Sequence, residues 1–196
     1  MLYNLSRFLI FLFLKIFCRL KVYGRENIPK TGGFILASNH TSYLDPLVVG
    51  AAVNRRVNFM ARHDLFLHPV LRWWMSGVGA FPVKRDSADL SALKEAISRL
   101  KRGEGLVLFP EGTRSIEGSL GEAEPGIGLI AVKSQSPVIP TFVKGAERAM
   151  PKGAKLLKPQ RIYVYFGKPI SIERRMPYQD IAGNIMQQIR HLSCPN

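Results

Sequence analysis

The chain has 196 residues, enough for one domain with a substantial core, and its hydrophobic content of 46% is ordinary for a globular protein. Its charge is unusual, because 28 lysines and arginines against 14 aspartates and glutamates give a net charge of +14. Such a charge favours an anionic partner, whether nucleic acid, phospholipid headgroups or an acidic carrier protein. The two cysteines, Cys18 and Cys194, form neither a disulfide framework nor a metal-ligand spacing, which indicates a reducing compartment.

The first 20 residues are apolar and basic, and no acidic residue occurs before Glu26. The longest uncharged apolar run, residues 8–14, is far shorter than the ~20 residues that cross a bilayer. No small-residue cleavage site follows it, so a removed signal peptide is not expected. This composition predicts a helix in the membrane interface over residues 1–24, followed by one domain over residues 25–196. The alternative is a terminal helix that packs on the core.

Further along the chain, apolar and alternating runs alternate with helical patterns. A strand end and a turn are expected at 22–29, and strands at 34–38, 57–61, 79–85, 106–109, 138–143 and 161–166. Helices are expected at 44–53, 65–78, 87–102, 125–133 and 178–192. The alternation predicts a layered α/β fold with a largely parallel (mixed) sheet flanked by helices.

Two of the expected helices carry particular features. The helix at 87–102 is the clearest amphipathic one, with its leucines and isoleucine on one face. The helix at 65–78 contains Trp73 and Trp74, which suit a second membrane-facing surface, the wall of an apolar tunnel, or ordinary core packing.

The most informative stretch is residues 39–45, NHTSYLD, which follows the buried strand at 34–38 and precedes an apolar helix. On a continuous helix, His40 and Asp45 would lie about 140° apart and could not touch. The spacing therefore works as a pair only if the chain turns between them. An aspartate bonded to one ring nitrogen would fix the tautomer and leave the other nitrogen as a base. The alternative is a simple helix start capped by Thr41 or Ser42.

Three loops, at 39–45, 84–85 and 110–115, each follow an expected strand. In open α/β sheets, sites form at the carboxyl edge of the strands. A histidine base with Arg85 and Arg114 nearby would suit a substrate that carries both a hydroxyl and a phosphate, since arginine forms forked bonds to phosphate. The alternatives are a surface charge for Arg85 and a structural ion pair between Glu111 and Arg114. The chain has no G-x-S-x-G sequence, which favours direct transfer to a substrate hydroxyl.

These motifs resemble four sequence blocks of the glycerolipid acyltransferases. Residues 39–45 resemble the His-x4-Asp block, residues 79–85 the second, residues 109–115 the third, and residues 138–141 the fourth. Within that family the chain resembles the bacterial 1-acyl-sn-glycerol-3-phosphate acyltransferases of the PlsC type, and the resemblance implies their fold. Relatives often carry a lysine just before the glycine at 126, whereas this chain has Glu124.

The resemblance implies roles for particular residues. His40 would be the general base and Asp45 would orient it. The glycerol phosphate of the acceptor would be held by residues of the second and third blocks: Arg85, Glu111, Gly112, Thr113 and Arg114. The fourth block would shape the acyl site. Neither a metal nor another cofactor is expected.

The resemblance also implies a reaction. An acyl chain would pass from acyl-CoA or acyl carrier protein to the sn-2 hydroxyl of lysophosphatidic acid, giving phosphatidic acid for phospholipid synthesis. The enzyme would lie on an anionic membrane surface, at the cytoplasmic face of the inner membrane, as a monotopic or peripheral protein. The alternatives are another acceptor, such as glycerol 3-phosphate or a different lysolipid, and a non-catalytic basic membrane-binding protein. Nucleic acid is not expected as a partner, because the basic residues at 1–25 and 144–175 are not interleaved with aromatic residues in the manner of nucleic-acid binders.

Overall fold

The computed structural model describes residues 1–84, 89–113, 120–151, 153–154, 156–173 and 175–193. Its strands are β1 Lys21–Tyr23, β2 Phe34–Ser38, β3 Val57–Arg62, β4 Ala80–Val83, β5 Gly105–Leu108, β6 Val138–Lys144 and β7 Tyr163–Phe166. They form one sheet in the order β1-β7-β6-β2-β5-β3-β4. Every neighbouring pair is parallel except β6 and β7, which are antiparallel. The largely parallel, mixed sheet is therefore confirmed.

The helices are α1 Leu2–Phe17, α2 Asp45–Ala52, α3 Pro69–Gly77, α4 Leu90–Lys101, α5 Gly126–Ser134, α6 Ala146–Ala149 and α7 Tyr178–Ser193. The short helix α6 was not expected from the sequence. The helix expected from residue 65 begins only at Pro69, because a 3₁₀ turn, His63–Phe66, precedes it.

The start of α4 shows how a side chain sets a helix boundary. The helix was expected from residue 87, but it begins at Leu90, and Asp89 is its N-cap residue. The Asp89 carboxylate accepts hydrogen bonds from the backbone N–H groups of Lys84, Ser91 and Ala92. These bonds, that of Lys84 first, hold the pKa of Asp89 well below its usual range.

The sheet separates two cores, and β2 contributes to both. Phe34 and Leu36 pack on the side of α1, α2 and α6, whereas Ile35 and Ala37 pack on the side of α4, α5 and α7. All residues of β2 and β5 are buried. Covering both faces with helices explains why these strands are apolar up to Ser38, the last residue of β2, and it holds their carboxyl ends in fixed positions.

The N-terminal helix α1 has two apolar faces with different surroundings. On the inner face, Tyr3 and Leu14 are buried, and the Tyr3 hydroxyl accepts a hydrogen bond from the backbone N–H of Val57. Burial raises the pKa of Tyr3. The outer stripe of α1 is exposed and consists of Leu5, Phe8, Leu9, Leu12, Phe13 and Ile16. Core packing, the alternative raised by the sequence, thus accounts for only one face.

None of the helices among the described residues combines the length and the apolar character needed to cross a membrane. The interfacial role of α1, and the division at residues 24 and 25, stay predictions.

Candidate active site

The site lies where two neighbouring parallel strands end. Ala37 of β2 is in register with Leu108 of β5, so the segments that follow the two strands start side by side. One segment carries His40, and the other is the turn that begins at Phe109. On its other side, β2 pairs with β6, with Ser38 opposite Thr141. The carboxyl edge of the sheet therefore brings the first and third sequence blocks together.

The chain does turn between His40 and Asp45. Asp45 is fully buried at the first residue of α2, and its Oδ2 lies 3.0 Å from Nδ1 of His40. The same oxygen accepts the backbone N–H groups of Thr41 and Ser42, both at 2.7 Å. The N-cap residue of α2 is Leu44, which provides no side-chain cap. A simple helix start capped by Thr41 or Ser42 is thus not what the structure shows.

This geometry assigns the two nitrogens of the His40 ring. Because an ionised carboxylate can only accept hydrogen bonds, Nδ1 carries the proton and its N–H donates a hydrogen bond to Oδ2 of Asp45. The ring stacks on Phe109, with the centroids 4.1 Å apart and the planes inclined by 22°. Asp45 and Phe109 together fix the orientation of the imidazole. Such a ring is prepared to accept a proton on Nε2.

Glu111 connects the His40 loop to a third segment. Its Oε1 accepts the backbone N–H of His40 at 3.2 Å, and its Oε2 accepts the backbone N–H of Gly121 at 3.0 Å. The residue is buried. A carboxylate in this arrangement holds the His40 backbone in place, which is a different task from the acceptor contact that the resemblance implies for Glu111. That contact stays a prediction.

Gly112 makes the turn after Glu111 possible. Its φ is +66°, a conformation that favours glycine. A Cβ atom at this position would lie 3.3 Å from Cγ of Glu124. Thr113, the next residue, is exposed at the same turn. The exposed Glu124 therefore lies directly beside the turn.

Arg85 and Arg114, the two expected phosphate ligands, lie outside the described residues. The strand that leads to Arg85 is β4, the edge strand, and both β3 and β5 separate it from β2. The strand that leads to Arg114 is β5, directly beside β2. Both phosphate contacts stay predictions.

One polar residue that the sequence left without a role is Asn39. Its Nδ2 donates to the carbonyl of Val143 at 2.9 Å, and its Oδ1 accepts the N–H of the same residue at 2.7 Å. The amide thereby extends the pairing of β2 and β6 past the last strand residue, next to His40. The signal was available in the sequence, because an amide directly after a buried strand must find hydrogen-bond partners.

An apolar cleft of about 50 Å³ lies between α1, α2 and α3. It starts at Pro46 and Leu47, directly after Asp45, and Trp74 of α3 also lines it. The neighbouring Trp73 is exposed. Helix α3 therefore presents one tryptophan to this cleft and the other to the surface.

Nothing in the described parts of the chain groups three or more His, Cys, Asp or Glu side chains in a way that could hold a metal ion. The expectation that no cofactor is needed stays a prediction.

Known proteins resemble this chain both in sequence and in fold. Residues 19–144, well over half of the chain, match the sequence profile of the family described as Acyltransferase. The chain is 33% identical over 158 residues to the chloroplastic 1-acyl-sn-glycerol-3-phosphate acyltransferase BAT2 of Brassica napus, covering 79% of this chain and 46% of the relative. It is 30% identical over 151 residues to the 1-acyl-sn-glycerol-3-phosphate acyltransferase of Bacillus subtilis, covering 76% and 73%.

The crystal structure of the LPA acyltransferase PlsC from Thermotoga maritima superposes with a TM-score of 0.76 at 25% sequence identity. The match covers 98% of this chain and 83% of that one. The matched part spans about half the length of the plant relatives. The family profile and the two relatives agree, and the chain belongs to the acyltransferase family.

Proposed function

We propose that this protein transfers an acyl chain from a thioester to the sn-2 hydroxyl of lysophosphatidic acid, giving phosphatidic acid. The observation that carries the proposal is the contact of His40 Nδ1 with the buried Asp45 carboxylate at the end of β2. The names of the relatives in Brassica and Bacillus, both 1-acyl-sn-glycerol-3-phosphate acyltransferases, support the choice of acceptor.

The proposed reaction uses the His40 ring twice. Nε2 takes the proton of the acceptor hydroxyl while the oxygen attacks the thioester carbonyl carbon. Asp45 stabilises the imidazolium that forms, because its Oδ2 accepts a hydrogen bond from Nδ1–H and its negative charge lies beside the ring. When the tetrahedral intermediate collapses, the carbon–sulfur bond breaks and the thiol leaves with the proton from Nε2. Acyl-CoA and acyl carrier protein both supply such a thioester, and both are acidic enough to suit the basic surface.

A panel of acceptors tests this proposal. Thiol release would be measured with lysophosphatidic acid, glycerol 3-phosphate and neutral lysolipids, using acyl-CoA and acyl carrier protein as donors in turn. We expect the highest kcat/KM with lysophosphatidic acid. A higher kcat/KM with glycerol 3-phosphate or with another lysolipid would keep the acyl transfer and overturn the acceptor. No thiol release above background with any acceptor would overturn both.

We further propose that Arg114, assisted by Arg85, binds the phosphate of the acceptor. Arg114 follows β5, whose end lies beside that of β2. When the acceptor hydroxyl is held at His40, the acceptor phosphate lies only a few bonds away and needs fixed positive charge there. Arg114→Lys is expected to raise the KM for lysophosphatidic acid, because lysine cannot form the forked bonds of a guanidinium group. The decisive measurement is the ratio of kcat/KM for lysophosphatidic acid to that for monoacylglycerol, which should fall.

The competing role of Arg114 is an ion pair with Glu111. In that case Arg114→Lys would lower the melting temperature and reduce activity equally on both acceptors. An unchanged acceptor ratio together with a lower melting temperature would therefore overturn the phosphate contact.

We also propose that the outer stripe of α1 lies in the membrane interface, at the cytoplasmic face of the inner membrane. Deleting residues 1–20 would not separate membrane binding from folding, because Leu14, Cys18 and Leu20 belong to the core. Replacing only outward residues avoids this problem, since the inner face of α1 keeps its contacts.

The triple variant Phe8→Gln, Leu12→Gln, Phe13→Gln is expected to bind anionic vesicles on the order of 10²-fold more weakly, because three exposed apolar side chains no longer enter the interface. Vesicle flotation measures the effect. The control is Leu90→Gln, which replaces an exposed leucine at the start of α4 and should bind as wild type. Wild-type flotation of the triple variant would rule out the anchor.

A further inference from the structure

A second cleft, of about 630 Å³, lies where α1 ends and the chain turns into β1. Backbone hydrogen bonds hold the chain on both sides of Arg19. The N–H of Ile162 donates to the carbonyl of Cys18, and the N–H of Lys21 donates to the carbonyl of Ile162. This pairing sets Arg19 beside Arg161. Arg148 of α6 lines the same cleft. Three arginines, Arg19, Arg148 and Arg161, therefore line one cleft.

The cleft has an excess of positive charge. Neither Arg19 nor Arg161 makes a side-chain hydrogen bond or ion pair within the part of the chain that the structure describes, and both are exposed. Arg148 contacts one acidic group, Glu147, at 3.3 Å, and both of these side chains are at least partly exposed. One carboxylate does not balance three guanidinium groups. An anion with several oxygens would complement them, because arginine binds phosphate through forked hydrogen bonds.

Arg19 has an unusual backbone conformation. Its φ is +45°, in the left-handed region where glycine is favoured and an arginine is disfavoured. A glycine would end the helix at least as well. Backbone conformations of this kind persist where the side chain has a use, so the choice of arginine here favours a binding role for its guanidinium group.

The rim of the cleft on the side of α1 is apolar. Ile16 is 72% exposed and Phe17 is 37% exposed, and the ring of Phe17 stacks on that of Phe13, with centroids 5.3 Å apart. The rim is thus continuous with the outer stripe of α1. A basic cleft that opens onto an apolar stripe is complementary to a lipid with an anionic headgroup and apolar acyl chains.

We propose that the cleft at the end of α1 binds the headgroup phosphate of an anionic membrane lipid, whose acyl chains lie along the outer stripe. This inference rests on the proposed attachment of α1 to the membrane. It also predicts which edge of the sheet faces the bilayer. Tyr163 of β7 is paired with Lys144, at the carboxyl end of β6, so the cleft lies at the same sheet edge as His40. Because β7 is two strands from β2, the lateral separation is about 10 Å. A headgroup bound there would hold the reactive edge of the sheet towards the bilayer.

The test compares Arg19→Gly and Arg161→Ala with wild type in flotation with phosphatidylglycerol-containing vesicles and with pure phosphatidylcholine vesicles. Each variant should bind the anionic vesicles about fivefold more weakly, the effect of one basic residue near an anionic surface. The difference between the two vesicle types should shrink. The charge control is Lys94→Ala, which removes an exposed lysine from α4 on the other side of the sheet and should bind as wild type.

Arg19→Gly separates binding from folding. Glycine relieves the left-handed conformation, so this variant should melt at the wild-type temperature or a few degrees higher while binding more weakly. Gln135→Gly is the matched control for stability, because Gln135 also ends a helix with a positive φ of 58°. It should show the same thermal effect and unchanged vesicle binding. Vesicle affinities of Arg19→Gly and Arg161→Ala equal to that of Lys94→Ala would overturn the proposal.

Two further measurements identify the occupant. Inorganic phosphate and a short oligonucleotide would each be titrated with wild type and with Arg19→Gly. If either one binds in a manner that depends on Arg19 while vesicle binding does not, the lipid assignment is overturned. Thiol release by wild type on detergent-dispersed substrate is recorded separately. Its absence would defeat the proposed acyl transfer without affecting the comparison of vesicle affinities.

Discussion

His40→Ala is expected to lower kcat for acyl transfer by about 10²–10⁴-fold, the usual effect of removing a general base. The reason is specific to this geometry: Nδ1 is held by the Asp45 carboxylate at 3.0 Å, and the ring stacks on Phe109. Replacing the imidazole with a methyl group therefore removes the ring that Asp45 and Phe109 orient. Thiol release with saturating lysophosphatidic acid and acyl donor measures the change.

The matched control is His191→Ala, which removes an exposed histidine from α7. It should keep wild-type turnover. Circular dichroism of His40→Ala should show an intact fold, because only one side chain at the sheet edge is lost. If His40→Ala retained more than about a tenth of the wild-type kcat, His40 would not be the base.

Asp45→Asn is expected to lower kcat by a similar factor of about 10²–10⁴ and also to lower the melting temperature. The amide oxygen can replace Oδ2, which accepts three hydrogen bonds, but it brings no negative charge to stabilise the imidazolium. The amide nitrogen would then take the position of Oδ1, which is buried without a hydrogen-bond partner. An unpaired buried donor costs about 1–3 kcal/mol in the free energy of unfolding.

Two comparisons make the Asp45 prediction specific. The double variant His40→Ala, Asp45→Asn should be about as slow as His40→Ala alone, because residues that act as one unit show non-additive losses. If the loss in kcat of the double variant equalled the product of the two single losses, Asp45 would act independently of His40. Asp180→Asn is the second comparison, since Asp180 is an exposed acid in the first turn of α7. It should lose only the modest stability of a helix-dipole interaction, about 0.3–1 kcal/mol, with unchanged kcat.

Local patterns in the sequence were sufficient for the main elements and for the central pair. The run at 34–38 could be identified as a buried strand because both faces of a parallel sheet are covered, so its first four residues are all apolar. The spacing of His40 and Asp45 set a condition for the pair, because residues five apart lie about 140° apart around an α-helix and cannot touch. The structure meets that condition with a turn, whereas the sequence also allowed a simple helix start. The sequence blocks also pointed to the family, which the matches to known acyltransferases show.

Contacts between residues far apart in the chain could only come from the tertiary structure. Asn39 bonds to Val143, and Glu111 joins the backbone of His40 to Gly121. No periodicity encodes such bonds, because they depend on which strands become neighbours.

The same limit applies to the surfaces. The sequence showed that α1 is apolar almost all round, but only packing decided which face enters the core and which stays exposed. The composition showed an excess of 14 positive charges. The meeting of Arg19, Arg148 and Arg161 at one cleft depended on the strand order, which places β1 beside β7 and β7 beside β6. Residue types and spacings thus determined the elements and the chemistry of the central pair, whereas the sheet topology decided what surrounds them, because only folding brings distant segments into contact.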